Sequence, residues 1–374
     1  MSTLSISHTS DGYLNVTAEY FTPLWATSTS ISISSIFIIC FVLYFIFYFI
    51  FLIRMRNRKE FKRNHKILFV LVGVCVTFQF MCLVMSIVYN ILNKNARFQL
   101  ENGANVTWAF FIGLQTALGL NNFFRFTNVV ILFVIIYFVQ MIFWKTARLT
   151  RTISSLSFRY IKILMNIVNL AFVVTGMLFV MVVVVSDVLL RLGYISNLIT
   201  TGVYVGCFFC IVFMIVFDSI MALTSGILVI NTIKRTAQNA ERMTNRFTES
   251  APAATKKEDV SLYQESTTEQ NKGFPKSNET GVRFQKRVQN PFKMTFGLLF
   301  ALVMCVVMEV VAGATGSTSS VHLSLGLIWH FCNSSGIFCF AAAVLILFYP
   351  SILVTNDAIQ ELEKQSLGTA QQAI

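Results

Sequence analysis

Charged residues and prolines are scarce in this chain. Charged residues make up 12% of its 374 residues, and the five prolines are Pro23, Pro252, Pro275, Pro291 and Pro350. No proline lies inside a long apolar stretch, so we expect all five to lie outside the helices and no helix to be kinked by a proline. Hydrophobic residues make up 55% of the chain, and they form long segments that neither charge nor proline interrupts.

Seven apolar stretches are each long enough to cross a membrane, whose hydrocarbon layer of about 30 Å takes about 20 helical residues. Because no water is available there to satisfy backbone polar groups, such segments must be helical. The sequence therefore predicts an all-α membrane protein, a seven-transmembrane helix bundle. The predicted helices are at about 29–53, 67–92, 108–144, 163–190, 198–230, 294–312 and 323–348, with an N-terminal segment at 1–28 and a tail at 349–374.

Positive charge is nearly absent from every second connection between these stretches. Those connections hold only Lys94 and Arg97, then Arg191, and then no Lys or Arg at all. The basic connections are at 54–66, 145–162 and 231–293. By the positive-inside rule the basic set is cytoplasmic, which predicts an extracellular N-terminus and a cytoplasmic C-terminus. The formal charge of +12 thus lies along a membrane face, where it meets anionic lipid rather than nucleic acid.

The predicted external segments carry two glycosylation sequons, at Asn15 and Asn105, and both are expected to carry sugar. Those segments have no cysteine, because all eight cysteines lie in the apolar stretches, so no extracellular disulfide framework is expected. The first thirty residues lack a basic region before the first apolar run, so we expect no cleaved signal peptide. No retention signal ends the chain, and the plasma membrane is the expected location.

Catalytic and metal-binding motifs are also missing. The four histidines are His8, His65, His322 and His330, and no second histidine is spaced with His330 on a helix to share a metal. A nucleophile elbow, a phosphate loop and paired carboxylates are absent as well. We therefore expect a protein that is not an enzyme and that uses no cofactor or metal.

The ionisable residues inside the apolar stretches are the candidates for function. Each is costly in lipid, so each should face the bundle interior, a partner or water. They are Arg125, Asp187, Asp218, Glu309 and His330. On the third helix Asn121, Arg125 and Asn128 are spaced i, i+4, i+7, which places them on one face.

These residues predict a ligand site in the outer half of the bundle, formed by Asn121, Arg125, Asp218, Glu309 and His330. The alternative is structural, with Arg125 paired to Asp218 or Glu309 so that two helices are held together. The four tryptophans lie at or near the ends of the stretches and are interpreted as markers of the membrane boundary rather than as ligand contacts; they are Trp25, Trp108, Trp144 and Trp329.

The connection at 231–293 changes to a polar composition, and its centre, at about 248–279, is predicted to be disordered. Residues 231–247 contain no helix breaker and are predicted to extend the fifth helix into the cytosol. The basic residues at the two ends of this connection include Lys234, Arg235, Arg283, Lys286 and Arg287.

In architecture the chain resembles the G-protein-coupled receptor superfamily. The sequons near the N-terminus, the seven helices, the long third helix, the short outer connections and the large third cytoplasmic connection all fit. The motifs of the rhodopsin-like class are missing, since residues 140–145 contain no acidic-Arg-aromatic triplet and residues 347–350 are Leu-Phe-Tyr-Pro. Without a lysine in 323–348, retinal cannot form its Schiff base there.

The resemblance implies a divergent receptor that binds an extracellular ligand and contacts a heterotrimeric G protein through the basic ends of the third cytoplasmic connection. A transporter or channel-like protein with an intramembrane polar pathway is the competing hypothesis. Transporters commonly show internal repeats and broken helices, and neither is evident in the sequence. A structural or trafficking protein without a ligand is the third hypothesis.

Overall fold

A computed structural model describes residues 7–8, 14–15, 17–56, 63–149, 152–249, 277–317 and 323–371. For 277–295, 348–371 and some shorter stretches, among them 7–8, 14–15, 54–56, 63–65 and 243–249, it describes the backbone alone. These residues form seven long helices: α1 (Leu24–Arg56), α2 (Arg63–Glu101), α3 (Trp108–Leu149), α4 (Ser155–Arg191), α5 (Asn197–Glu249), α6 (Ser277–Ser317) and α7 (Leu323–Gln371). Before α1, two short strands, β1 (Ser7–His8) and β2 (Leu14–Asn15), pair antiparallel, and a 3-10 turn spans Ala18–Tyr20.

All seven helices are long and apolar enough to cross a membrane. This confirms the predicted seven-helix architecture and indicates an integral, multi-pass membrane protein. Many large apolar side chains on the outside of the bundle are exposed, among them Phe47, Leu178 and Phe213. Exposed apolar surface on this scale is the expected complement of lipid, because water would penalise it.

Helical structure continues well beyond the apolar stretches. α5 is 53 residues long and ends at Glu249, so it extends past the apolar sequence as predicted for residues 231–247. Pro291 lies inside α6 and Pro350 inside α7, so the prediction that no helix contains a proline is wrong. Hydropathy marks where a helix crosses lipid, whereas backbone hydrogen bonding can continue into polar sequence. A proline there removes one hydrogen bond and crowds a carbonyl of the preceding turn, which disfavours the helix without forbidding it. The centre of the predicted disordered segment, at 250–276, lies outside the described residues.

The helices pack as a closed ring in chain order, because each helix contacts the next and α7 returns to α1. Two further contacts fill the middle of the ring: α3 packs against α5, and α2 against α7. α3 therefore packs against three helices, α2, α4 and α5. Side chains on its inner face can also reach α7.

The interior is divided into two chemically different halves. In the half where α1 ends and α2 begins, a large apolar core includes Phe41, Phe69, Ile136, Phe340 and Val344. In the opposite half, where α1, α3, α5 and α7 begin, many buried side chains are polar, and they include Ser34, Ser86, Asn90, Asn121, Asn122, Arg125, Asp187, Glu309 and His330. We call these the apolar half and the polar half of the bundle.

α2 and α4 both end in the polar half, and each is followed by a glycine in the same backbone conformation. Gly103 and Gly193 have φ values of 77° and 80°, in the left-handed region that glycine adopts without a steric cost. After α4, Gly193 N donates to Leu190 O at 3.0 Å and Tyr194 N to Leu189 O at 2.9 Å. This pair of bonds is a Schellman motif, which satisfies carbonyls at the end of the helix, and the same pattern follows α2 around Gly103.

The segment that precedes α1 packs across the polar end of the bundle. Phe21 is buried beside Val106 and Phe111, and the Tyr20 hydroxyl donates to Arg191 O at 3.2 Å. Asn93 Nδ2 donates to Thr22 Oγ1 at 2.8 Å. These contacts connect the entrance of α1 with α2, α3 and α4 around the rim of the polar half.

α6 and α7 lie close together at Gly336. A Cβ atom at this position would lie 2.9 Å from Met308 Cβ, and Met308 Cβ is fixed to the backbone of α6. The substitution Gly336→Ala should therefore separate the two helices and lower the stability of the protein by about 1–3 kcal/mol, the usual cost of overpacking. Thermal unfolding of the detergent-purified protein measures the loss.

The matched control is Gly113→Ala on α3, where an added Cβ meets nothing within 4 Å. That change should be neutral or slightly stabilising, because alanine favours a helix over glycine by about 0.5–1 kcal/mol. Equal melting temperatures for the two variants would contradict the close approach at Gly336.

Candidate functional site

A cavity of about 360 Å³ lies in the polar half, and all seven helices contribute to its wall. Its size falls in the range of about 300–1,000 Å³ that small-molecule sites occupy. The polar side chains in its wall include Ser86, Asn90, Asn121, Asn122, Arg125, Asp187, Arg191, Tyr204 and His330.

A second, smaller cavity of about 80 Å³ adjoins the first. The two share Arg125, Tyr204 and Trp329 in their walls. The rest of the smaller wall is mostly apolar and comes largely from α3, α4 and α5, with Glu309 and Asn333 as its polar members. An occupant at Arg125 can therefore place a polar part in the larger cavity and an apolar part in the smaller one.

Arg125 lies at the junction of the two cavities. Its side chain is only 7% exposed, and Asn121 and Asn128 on the same face of α3 are buried too. The Cζ atom of Arg125 is 4.3 Å from the centroid of the Trp329 ring, a distance at which a cation is attracted to an aromatic face. Nη2 lies 3.2 Å from Nδ1 of His330, so two neighbouring residues of α7 hold the guanidinium.

The contact with Arg125 determines the tautomer of His330. A guanidinium can only donate, so Nδ1 of His330 accepts and the imidazole proton sits on Nε2. Nε2 then donates to Ser34 Oγ at 2.8 Å, and the Ser34 hydroxyl donates to Ser86 Oγ at 3.4 Å. Ser86 Oγ also accepts from Asn90 Nδ2 at 3.4 Å, so the series ends at Ser86. A directional series of hydrogen bonds thus runs from α3 through α7 and α1 to α2.

A second polar network lies one helical turn deeper. The side-chain amides of Gln79 and Asn128 are hydrogen-bonded at 2.8 Å, and Gln79 Nε2 donates to Ser334 Oγ at 3.0 Å. Beside it, Asn333 Nδ2 lies 3.1 and 3.3 Å from the two carboxylate oxygens of Glu309. Below the larger cavity, these bonds join α2 to α3 and α7, and α6 to α7.

Asp187 and Arg191 form an ion pair on the rim of the larger cavity. Arg191 Nε lies 3.6 Å from Asp187 Oδ1, one turn along α4. Asn122 Nδ2 donates to Asp187 Oδ2 at 3.0 Å. The two opposite charges of this pair largely cancel, so the pair adds little net charge to the cavity wall.

The structure brings together Asn121, Arg125, Glu309 and His330 from the predicted ligand site, and it places Asp218 elsewhere. Asp218 is buried on α5 but lines neither cavity. Its backbone oxygen accepts from Gln140 Nε2 at 2.6 Å, about four helical turns along α3 from Arg125. Asp218 thus belongs to the apolar half.

The structural alternative for Arg125 named an ion pair with Asp218 or Glu309, and the described residues show neither pair within 4.0 Å; the contacts of Arg125 with α7 nevertheless join two helices. Among the described residues, the ion pairs within 4.0 Å are Arg97 with Glu101 and Arg191 with Asp187. Trp329, interpreted from the sequence as a boundary marker, also contacts the guanidinium and lines both cavities. Its adjacency to His330 was the signal in the sequence, since the neighbour of an inward-facing residue lies about 100° away on the helix and can reach the same interior.

The other predicted sites lie outside the cavities. Asn105 is exposed in the connection between α2 and α3, and Lys234 and Arg235 are exposed on α5. The backbone of Asn15 belongs to β2, and its side chain lies outside the described residues, as do the side chains of Arg283, Lys286 and Arg287 on α6. Within the described part of the chain, no three His, Cys, Asp or Glu side chains lie close enough together to hold a metal.

Ser34 tests the hydrogen-bond series. The substitution Ser34→Ala leaves the Nε2 donor of His330 buried without an acceptor, which should cost about 1–3 kcal/mol of stability. Thermal unfolding in detergent should show a lower melting temperature. The matched control is Ser32→Ala, because the exposed Ser32 hydroxyl bonds only to its own helix, at Ser28 O; if both variants melt at the same temperature, the buried contact is absent.

The sequence was also compared with known proteins. No protein-family model matches the chain, and no curated protein is significantly similar to it.

Proposed function

We propose that the protein is a divergent receptor of the seven-helix, G-protein-coupled type. It binds a small extracellular ligand in the cavity around Arg125 and signals to a heterotrimeric G protein through the cytoplasmic ends of α5 and α6. The observation that carries the proposal is the polar cavity, whose wall combines all seven helices at one end of the bundle. A ligand held there contacts every helix and can change how the helices pack.

The apolar half supports a receptor over a transporter or channel. Ile135, Ile136, Val139, Ala341 and Val344 are fully buried there and belong to one continuous apolar core. Such a core is packed at close to crystalline density. It closes the interior between the polar cavity and the opposite membrane face, where a transport pathway would have to continue.

The ends of α5 and α6 in the apolar half supply the surface for the G protein. The apolar span of α5 ends at Thr232, and the helix continues past it with Lys234 and Arg235 exposed. The backbone of α6 before its span carries Arg283, Lys286 and Arg287. Positive charge at both helix ends complements an acidic partner surface and accelerates its association.

The orientation that this function needs predicts glycans on the N-terminal side of the bundle. Asn15 and Asn105 should both be glycosylated in cells, so Asn105→Gln should remove one of two glycans and increase mobility on a gel. The matched control is Asn278→Gln, which destroys the sequon at Asn278 on the side predicted to be cytoplasmic and should leave mobility unchanged. A mobility shift in the control alone would reverse the orientation.

G-protein coupling is measured in cells by energy transfer between the protein and a panel of Gα subunits. We expect basal or ligand-evoked coupling that is lost when residues 231–293 are replaced by a neutral linker of equal length. The double substitution Lys234→Gln and Arg235→Gln should weaken coupling about fivefold, because two exposed charge contacts together contribute about 1 kcal/mol.

The control for these charges is Lys94→Gln, at the opposite end of the bundle, which should leave coupling unchanged. Silence across the whole panel, from protein that is verified at the plasma membrane, would contradict the receptor proposal. Equal losses from the control and the α5 substitutions would contradict the proposed contact surface.

A further inference from the structure

We infer that the ligand is a small organic acid whose carboxylate pairs with Arg125 and whose apolar part occupies the smaller cavity. The inference deepens the proposed function and rests on it for its physiological meaning. Ligand binding itself can be measured separately from G-protein coupling.

Among the described residues, the charge of Arg125 has no partner of opposite sign within 4.0 Å. Its guanidinium contacts the Trp329 ring and Nδ1 of His330, and neither of these groups is an anion. Its Nε atom has no hydrogen-bond partner among the described residues. Guanidinium groups favour carboxylates because two parallel N–H donors match two oxygens, so a carboxylate supplies what this side chain lacks.

The charges around the larger cavity favour a single negative charge. Its wall contains Arg125, Arg191 and Asp187, and the last two are paired with each other. Within the wall of the larger cavity, the charge of Arg125 is therefore the one that no acidic side chain of the same wall pairs. A monoanion would neutralise it, whereas a dianion such as a phosphate monoester would leave one charge unpaired in a mostly buried site.

Glu309 restricts where the anion can lie. It belongs to the wall of the smaller cavity, together with Asn333, and it does not line the larger one. Like charges repel, so the carboxylate lies on the larger side of Arg125, away from Glu309. The uncharged donors on that side include the Tyr204 hydroxyl and the side-chain amides of Asn121 and Asn122.

The smaller cavity accommodates the apolar part of the ligand. Phe126, Val129, Phe179 and Ile211 are in its wall, and the volume of about 80 Å³ limits this part to a short branched chain or one ring. Burial of each methylene adds about 0.8 kcal/mol, so the apolar part would add affinity to the charge contact.

The probes are short carboxylic acids, each paired with its neutral primary amide: propionate, 4-methylpentanoate, phenylacetate and 3-phenylpropanoate. Each is titrated against purified protein in detergent while thermal unfolding is followed. At least one of the branched or aromatic acids should raise the melting temperature by about 2 °C or more, and its amide should not. Oleate is added as a probe for a carboxylate that comes from membrane lipid. Stabilisation by oleate alone would assign the carboxylate to a membrane lipid.

Two variants test the role of Arg125. In Arg125→Gln the stabilisation by acids should disappear, whereas Arg97→Gln, an arginine outside both cavities, should respond like the unmodified protein. Asn121→Asp adds a carboxylate one turn before Arg125 in a nearly isosteric residue, an arrangement that favours ion pairing on a helix. This variant should melt higher than the unmodified protein without any acid and should bind the acids at least tenfold more weakly.

Asn121→Asp keeps the inference testable if Arg125→Gln does not fold. Absence of stabilisation by every acid, equal stabilisation by the amides, or an unchanged response of Asn121→Asp would overturn the inference. Stabilisation by primary amines instead would assign Glu309 as the ligand contact and overturn it as well.

The outcomes for binding and for signalling are distinguishable. Acid binding by a protein that couples to no Gα subunit would leave this inference intact and contradict the receptor proposal. Coupling by a protein whose stability no acid changes would do the reverse.

Discussion

The buried charge of Arg125 is the constraint on which the polar half of the bundle depends. A charge in a low-dielectric interior is costly unless polar groups compensate it, and this guanidinium is only 7% exposed. The compensation comes from an aromatic face and a neutral imidazole on α7. That imidazole in turn requires an acceptor at its other nitrogen, which Ser34 on α1 provides. One charge on α3 therefore dictates the chemistry of positions on three other helices.

No single hydrogen bond in this series is strong, and the strength of each bond depends on its neighbours. Hydrogen bonds in a chain polarise one another, and a buried donor left without its acceptor is costly. A change in the charge around Arg125 would therefore alter the hydrogen bonds of Ser34 and Ser86, although neither residue contacts the guanidinium. This is a physical route by which an occupant of the cavity can act on α1 and α2 as well as on the helices that it touches. The apolar half has few such contacts, and its packing depends on the shapes of aromatic and aliphatic side chains.

The architecture could be predicted from the sequence because its signal is simple. Seven apolar segments of sufficient length, without internal proline, leave the chain few alternatives to a helical bundle in lipid. The inward face of α3 was predictable for the same reason, since the spacing of Asn121, Arg125 and Asn128 fixes a common side of one helix.

The partners of these residues were not predictable, because spacing within one helix carries no information on the rotation and depth of the next. Asp218 and Arg125 are both inward-facing, yet Asp218 is level with Gln140. The contact of Trp329 with Arg125 could not be predicted, because a position near the end of a span does not show whether the side chain also lines a cavity.

Glycines at the α5–α6 and α6–α7 contacts differ in what they touch. At Gly336 the nearest atom across the interface is a Cβ of α6, whereas Gly226 faces Leu299 Cδ2 and Gly297 faces Leu347 Cδ2. Terminal methyl groups can change rotamer, but a Cβ moves only with its backbone. At Gly336, where the polar and apolar halves meet, α6 and α7 can therefore move apart or together only if a backbone shifts, whereas at Gly297 the facing Leu347 side chain can adapt. A displacement of the apolar end of α6 would thus be tolerated more readily than a displacement at the level of Met308.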